Sequence, residues 1–584
     1  MKLTQRLKQS MEGLIHALMR YPLTIVFFIV AAAINALSIQ RLGVDQHERL
    51  LATFVIAALT TLVAQGIYER FFTHSIRRWV LAGGAVLLSA LYYLTMLGDP
   101  DFSLIIFIRT GVLVLALTVG FIWIPTMKSK FQFDQSFLIV FKSFFNSVFF
   151  AAVIMVGVSL IIGAADQLLF NLSYRAYPHA ANIIFVIFAP MYFLSLIPKY
   201  HAEDKEAEGK VKWSRFLEVL VAYIIIPLVS LFTVILVLYI LLNIRGDFWT
   251  DNLLEPMLVT YSIVVIFVYV LAGTLENKLV EYFKRIFPKV LLPIVFFQTM
   301  ASFLKIQEEG LTHGRYFVIL YGVFAIVSGI LFSLYKGKKN GAVAILLMVF
   351  SILSIMPPVD AFSVSRRIQI SQLEAVLGEN EMLVEGEIRR AEELSEEDRR
   401  LIRSTTSYID QMNYTEELDW IPEDFNYYRD FEEVFGITPQ EWENERAIPR
   451  YRSFQRAQEE VLDIGAYNYM IQVQFTSTGE DREPKEIILN GETYRVGWEG
   501  GALEGFFVKA MESNLELVIP MEEITDRLLD RENGHQQLSQ EEAAFYTETG
   551  DLSMGVVVNY LDIQEENGQK SYNGDVYILL GGEE

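Results

Sequence analysis

Long uninterrupted apolar runs, rather than the short alternations of a soluble chain, fill the first three-fifths of the sequence. They lie near residues 21–39, 50–67, 79–97, 103–124, 137–163, 181–199, 216–243, 253–275, 286–305, 315–335 and 341–357. A bilayer core is about 30 Å thick and each helical residue rises about 1.5 Å, so a crossing helix takes roughly 20 apolar residues. The pattern predicts a polytopic all-α transmembrane bundle of about eleven helices over residues 1–358. Packed instead into one soluble globule, eleven such helices would leave too little polar surface to clothe it. Lys2, Arg6, Lys8 and Arg20 precede the first run, and no A-x-A-like cleavage site follows. The opening segment therefore reads as a retained signal-anchor helix.

From Val359 the pattern becomes that of a soluble chain, and the sequence predicts an acidic soluble α+β domain. Residues 359–465 read as a mainly helical segment. Ser371-Gln-Leu-Glu374, Ser395-Glu-Glu-Asp398 and Ser539-Gln-Glu-Glu542 each set an N-cap hydroxyl three residues before an acid, and Thr438-Pro439-Gln-Glu441 puts proline at a first helical position. Residues 466–584 read as an antiparallel, sheet-rich α+β module. Tyr467–Thr476 alternates, and Ile487–Val496 is a hairpin pattern whose Asn490-Gly491 suits a type I′ turn. Gly555–Ile563 with Asp575–Leu580 reads as a second hairpin, and helices are predicted near 520–533 and 539–548.

Charge divides the chain at the same place. Residues 1–358 hold 29 Lys and Arg against 20 Asp and Glu, a net of +9, whereas residues 359–584 hold 19 against 50, a net of −31. Such an acidic domain repels nucleic acid and anionic headgroups, so nucleic-acid binding is disfavoured. With the amino terminus placed in the cytoplasm, the cytoplasmic tail and loops carry 21 basic residues and the opposite loops 6. The positive-inside rule then sets the amino terminus inside, and an odd number of spans exports the carboxy-terminal domain from the plasma membrane. One span more or fewer would reverse that side.

At Ser363-Val-Ser-Arg-Arg-Ile-Gln-Ile-Ser-Gln-Leu-Glu374, at Leu394-Ser-Glu-Glu-Asp-Arg-Arg400, and at Arg20-Tyr21-Pro22-Leu-Thr24, the chain resembles a family of bacterial membrane proteins catalogued as domain of unknown function 4153. The resemblance spans the membrane part and about a hundred residues beyond it. It implies the topology and carries no activity or site residue across.

Ionisable groups within or beside spans mark candidate sites, because burying charge in lipid is costly. Asp99, Asp101, Arg109, Asp166 and Glu255 all fall toward the outer face under the deduced topology. They would line a pocket for a cation or a phosphate; alternatively Arg109 snorkels or pairs with Asp101, and the acids sit at helix ends in water. The second reading is favoured. Lys142 and Glu218 form a candidate inner ion pair, and Pro190, Pro227 and Pro293 fall mid-span, where they should kink or break their helices.

Several chemistries are missing. There is no cysteine, which removes thiolate catalysis, disulfides and cysteine-ligated metals. The seven histidines show no metal-binding spacing, Gly337-Lys338-Lys339 lacks the rest of a P-loop, and no G-x-S-x-G or kinase set occurs. No cofactor or metal is expected. The leading expectation is a non-enzymatic cell-envelope sensor or scaffold in contact with the lipid bilayer, whose acidic domain meets an envelope protein or polysaccharide. Its tyrosines and Trp498 would suit a ligand, although such rings more often pack a sheet face. The runner-up is a transporter of a small solute or ion through proline-broken helices. A transferase acting on a lipid-linked substrate at the outer face is the third reading.

Overall fold

Each of the eleven apolar runs forms a helix. The computed structural model describes residues 12–40, 46–98, 102–169, 172–200, 209–243, 254–335, 337, 339–390, 394–422, 425–437, 450–457, 462, 464–477, 484–500, 504–513, 515–529, 537–550, 552–566 and 569–582. The helices are α1 (Pro22–Ile39), α2 (His47–Phe71), α3 (Ser75–Thr95), α4 (Leu104–Trp123) and α5 (Phe133–Leu168). They continue as α6 (Ala176–Leu196), α7 (Arg215–Leu242), α8 (Leu254–Leu271), α9 (Lys278–Glu309), α10 (His313–Tyr335) and α11 (Asn340–Ile355). The first ten are long and apolar enough to cross a membrane; α11, at 16 residues, is the short one. At about 1.5 Å per residue it reaches roughly 24 Å, short of a full bilayer core unless the membrane thins around it.

What the helices expose is as apolar as what they bury. Leu88 is 62% exposed, Leu160 71% and Leu231 60%, while Tyr269, Phe283 and Leu291 sit at or below 1% in the interior. Water would penalise that outer surface severely, and hydrocarbon would not. Two helices change pitch at proline. Pro190 and Pro227 each stand two residues after a six-residue π segment, Ile183–Phe188 in α6 and Leu220–Ile225 in α7. Proline donates no hydrogen bond and its ring crowds the carbonyl four residues back, so a widened upstream turn accommodates it. Pro293, with Pro288, lies inside α9, which continues as a helix to Glu309.

The chain divides into two compact units, residues 1–441 and 442–584. Unit 1 therefore contains the helices that follow the bundle: α12 (Ala361–Glu379), α13 (Glu396–Gln411) and α14 (Tyr427–Phe435), with a short hairpin of β1 (Leu383–Val384) and β2 (Glu387–Ile388). Their core of Leu373, Leu377, Ile409, Phe431 and Phe435 also receives Ile105 and Ile108 from α4 and Phe317 from α10. Ser395 caps α13 as its sequence predicts, accepting from the Asp398 amide at 3.1 Å. Ser371 caps nothing, because it lies inside α12, which starts ten residues earlier, where Asp360 accepts the amides of Phe362 and Ser363. The expected cap at Thr438 lies outside the described residues.

Unit 2 is built on two antiparallel sheets. One has the order β4 (Tyr469–Thr476), β12 (Gln569–Gly582), β11 (Leu552–Glu566), β3 (Arg450–Arg456), β9 (Gln537–Leu538), with β10 (Ala544–Thr549) also on β11; the short β3–β9 pairing is its one parallel step. The other runs β5 (Lys485–Leu489), β6 (Glu492–Glu499), β7 (Gly505–Ala510), β8 (Glu516–Pro520). Asn490 and Gly491 both take positive φ, 50° and 83°, in the predicted type I′ turn between β5 and β6. The β11–β12 hairpin is longer than its apolar stretch, and the helix α15 (Met521–Leu529) lies where one was expected.

Two expectations fail. The helix at 539–548 is a single turn, α16 (Gln540–Ala543), because Ala544–Thr549 pairs along β11 instead. The capping box at Ser539 and Glu542 is formed, but strand pairing stops the helix after that turn. The sheet also starts earlier than the alternation indicates: Arg450–Arg456 pairs with the far half of β11, beyond a bulge between Val558 and Tyr560. If the six-stranded sheet anchors unit 2, truncating its fully buried Ile578 to Ala should cost about 2–4 kcal/mol. Thermal unfolding of the full chain in nanodiscs, followed by tryptophan fluorescence, should show the loss in unit 2 alone.

Candidate functional site

The five acids and bases expected at the outer face do not assemble as one group among the described residues. Asp99 and Asp101 lie outside those residues, and Glu255 opens α8 with its side chain likewise outside them. Asp166 is exposed and accepts the Leu172 amide at 2.7 Å. Arg109 is different.

From α4, Arg109 Nη2 donates to Asp360 Oδ1 at 3.0 Å, across 251 residues of sequence. Asp360 has no exposed side-chain surface, while Arg109 keeps 28%. The same carboxylate accepts the amides of Phe362 and Ser363 at 3.1 and 3.2 Å, and Ser363 Oγ donates to its other oxygen at 2.5 Å. The guanidinium lies 5.4 Å from the centre of the Phe362 ring. Burial would push the Asp360 pKa up, but the hydrogen bonds from Ser363 and Arg109 more than offset it and hold it below its usual 3.8. One turn along α12, Ser365 accepts from Tyr408 of α13 at 3.1 Å, and Tyr408 accepts the His313 amide at the start of α10 at 3.0 Å. Tyr316 OH donates to Val359 O at 2.6 Å. Four helices are thereby tied at this end of the bundle.

The opposite end is held by a different set. Arg20 makes a two-pronged pair with Glu69 of α2, at 2.8 and 2.7 Å, and donates to the carbonyl of Ile197 at 2.7 Å. Arg78 donates to Arg20 O at 2.8 Å. Asn340, at the start of α11, donates to both carboxylate oxygens of buried Asp134 on α5, at 2.8 and 2.9 Å. Lys142 does not meet Glu218 here: its Nζ donates to the carbonyls of Lys210 and Lys212, at 3.0 and 2.8 Å, which hold the loop ahead of α7. Backbone carbonyls took the role assigned to that acid, a choice that residue types cannot reveal.

Unit 2 carries a cleft of about 600 Å³, where β4 and β12 meet the β5–β6 hairpin. An aromatic trio fixes the two sheets beside it: Phe475 lies 4.6 Å from Trp498 and 4.9 Å from Phe506, centre to centre. Gly574 is required at this crossing, because a Cβ there would stand 2.6 Å from Tyr560 O. Gln472, Gln474 and Thr476 alternate along β4, facing Asn573 and Asp575 on β12. Asp575 accepts from Gln472 at 2.7 Å and from Asn559, the bulge residue of β11, at 3.3 Å. Lys485 donates to Gln472 O at 3.1 Å. Two of its lining residues carry a polar atom that is buried without a hydrogen-bond partner: Asp575 Oδ1 and Trp498 Nε1. Such groups are costly to leave unpaired, which marks the cleft as a place for a polar ligand. Among the described residues no group of three or more His, Asp or Glu is placed to hold a metal ion.

A family model described as domain of unknown function (DUF4153) matches residues 19–383. The chain belongs to this family. No curated protein and no solved structure matches the chain. The DUF4153 match begins one residue before Arg20 and ends four residues after α12. It includes both polar ends of the bundle and the phrases Arg20–Thr24 and Ser363–Glu374, stops short of Leu394–Arg400, and leaves out unit 2 with its cleft.

In this DUF4153 chain, Arg109→Ala should destabilise unit 1 by about 3–5 kcal/mol, because it strands a buried carboxylate. Adding Asp360→Asn should recover part of that loss in a double-mutant cycle of thermal unfolding in nanodiscs. Since Asp360 titrates lower in the folded chain than in the unfolded one, its contribution is complete above about pH 4 and lost as pH falls through the folded value. The cost of Arg109→Ala should therefore be constant from neutral pH down to about 5.

Proposed function

We propose that this multi-pass DUF4153 protein is a cell-envelope sensor or scaffold of a bacterial plasma membrane, with its amino terminus cytoplasmic and unit 2 extracytoplasmic. In this reading the bundle anchors the chain, the α12–α14 cap fastens to it through Asp360, and unit 2 meets a neutral envelope polysaccharide. The cleft at Asp575 is the observation that carries it. Amide, carboxylate and hydroxyl groups in cross-strand rows match the paired donors and acceptors of sugar hydroxyls, and the buried Asp575 Oδ1 and Trp498 Nε1 add an acceptor and a donor to them. The net charge of −31 after residue 358 disfavours polyanionic glycans.

A transporter is the second reading, favoured by the π segments ahead of Pro190 and Pro227. The two separate by experiment. Full-length protein in nanodiscs should bind members of a panel of uncharged bacterial glycans, and Asp575→Asn or Gln472→Ala should weaken binding about tenfold, the weight of one or two polar contacts. Binding that ignores both substitutions, or no binding across the panel, would remove the sensing reading. Solute movement by a chain lacking residues 442–584 would favour transport.

A further inference from the structure

A second cavity, of about 460 Å³, lies within the bundle and differs from the cleft in every chemical respect. Phenylalanine is the commonest residue in its walls, including Phe121, Phe137, Phe141 and Phe193. Its two hydroxyl side chains are already committed to helix carbonyls: Thr118 donates to Val114 O at 2.8 Å and Ser147 to Ala189 O at 2.5 Å. Nothing in it requires water, and a cavity of that kind stays dry or takes hydrocarbon. Phe144 and Phe185, on its rim, are 53% and 43% exposed on the lipid-facing side. Phe185 belongs to the π segment of α6, and Ala189 and Pro190 follow it in the wall, so the pitch change shapes this cavity.

Directly along the same helices lies a small niche beside Arg20, Glu69 and Arg70. Phe121 lines both spaces. One turn carries each wall from cavity to niche: Leu62 to Gly66 on α2, Ile122 to Pro125 after α4, Leu194 to Ile197 after α6. The niche is cationic. Arg20 is matched by Glu69, whereas Arg70 donates to the Met127 carbonyl, with no carboxylate on it among the described residues. Lys199 adds a further positive charge close enough to act on Glu69.

We propose that the cavity and niche form one slot for an anionic phospholipid, with one acyl chain among the phenylalanine rings and the phosphate against Arg70. This site is independent of the cleft in unit 2. An apolar slot closed by unneutralised arginine at a bundle end is complementary to that amphiphile and to neither half of it alone.

Photo-crosslinking tests the assignment. The full chain is reconstituted in nanodiscs with trace phosphatidylglycerol or phosphatidylcholine carrying a diazirine near the acyl terminus, and labelled peptides are mapped by mass spectrometry. Phosphatidylglycerol should label Phe137–Val148 and Phe185–Leu194 about tenfold more than phosphatidylcholine, the weight of a charge-assisted contact. Arg70→Gln should erase that preference and leave phosphatidylcholine labelling unchanged, while Ile122→Trp, which fills the cavity, should reduce both. If Ile122→Trp fails to insert, unlabelled phosphatidylglycerol competing out the signal where phosphatidylcholine does not supplies the same test. Equal labelling by both probes that Arg70→Gln leaves unaltered would mean ordinary surrounding lipid and overturn the site.

Discussion

One buried carboxylate joins the membrane bundle to the chain beyond it. Asp360 has no exposed side-chain surface, so it stays charged only because its partners replace water: Arg109 from α4, the Ser363 hydroxyl and two amides of α12. The same oxygen that accepts Arg109 also starts α12, so the direction of that helix and its attachment to α4 are set together. Ser365 then lies within reach of Tyr408, and Tyr408 within reach of His313, which brings α13 and the start of α10 into the same junction. The family match runs through α12, and so covers both partners of the ion pair.

The ion pairs of the bundle sit at its two ends, and the middle is packed by hydrocarbon with a few hydroxyl contacts, such as Thr60 with Ser89 and Thr233 with Tyr261. This follows from cost: a charge at a helix end can reach a partner or water, and at mid-span it can reach neither. The interior changes character at α6 and α7, where prolines impose a wider turn. One of those turns borders the phenylalanine-lined cavity, which leads to the cationic niche at the Arg20 end. Unit 2 supplies the opposite chemistry, a polar cleft between sheets with unpaired atoms.

The bundle was legible because twenty apolar residues in a row have few other uses, and each predicted span coincides with a helix. The I′ turn was legible because only a few residue pairs tolerate two positive φ values. Asp360 was not, since its partner is 251 residues away and a lone aspartate after Pro357-Pro358 resembles any cap. Ser371 misled for a related reason: its pattern satisfies the capping rule, but the stronger cap upstream had already begun the helix. Residues 544–548 fall within a helix predicted on local grounds and form a strand because β11 offers an open edge. The cleft, drawn from β4, β5, β6, β11 and β12, has no linear signature at all.

The sidedness of unit 2 depends on α11, whose 16 residues make it the shortest of the bundle helices. The direct measurement is a pair of reporter fusions, after Lys339 and after Glu584, each active on one side of the membrane only. The account predicts a cytoplasmic signal from the first and an external signal from the second, with α11 crossing and Asp360 at the outer face. A cytoplasmic signal from both would contradict it, placing the Asp360 junction, the acidic unit and its cleft inside the cell.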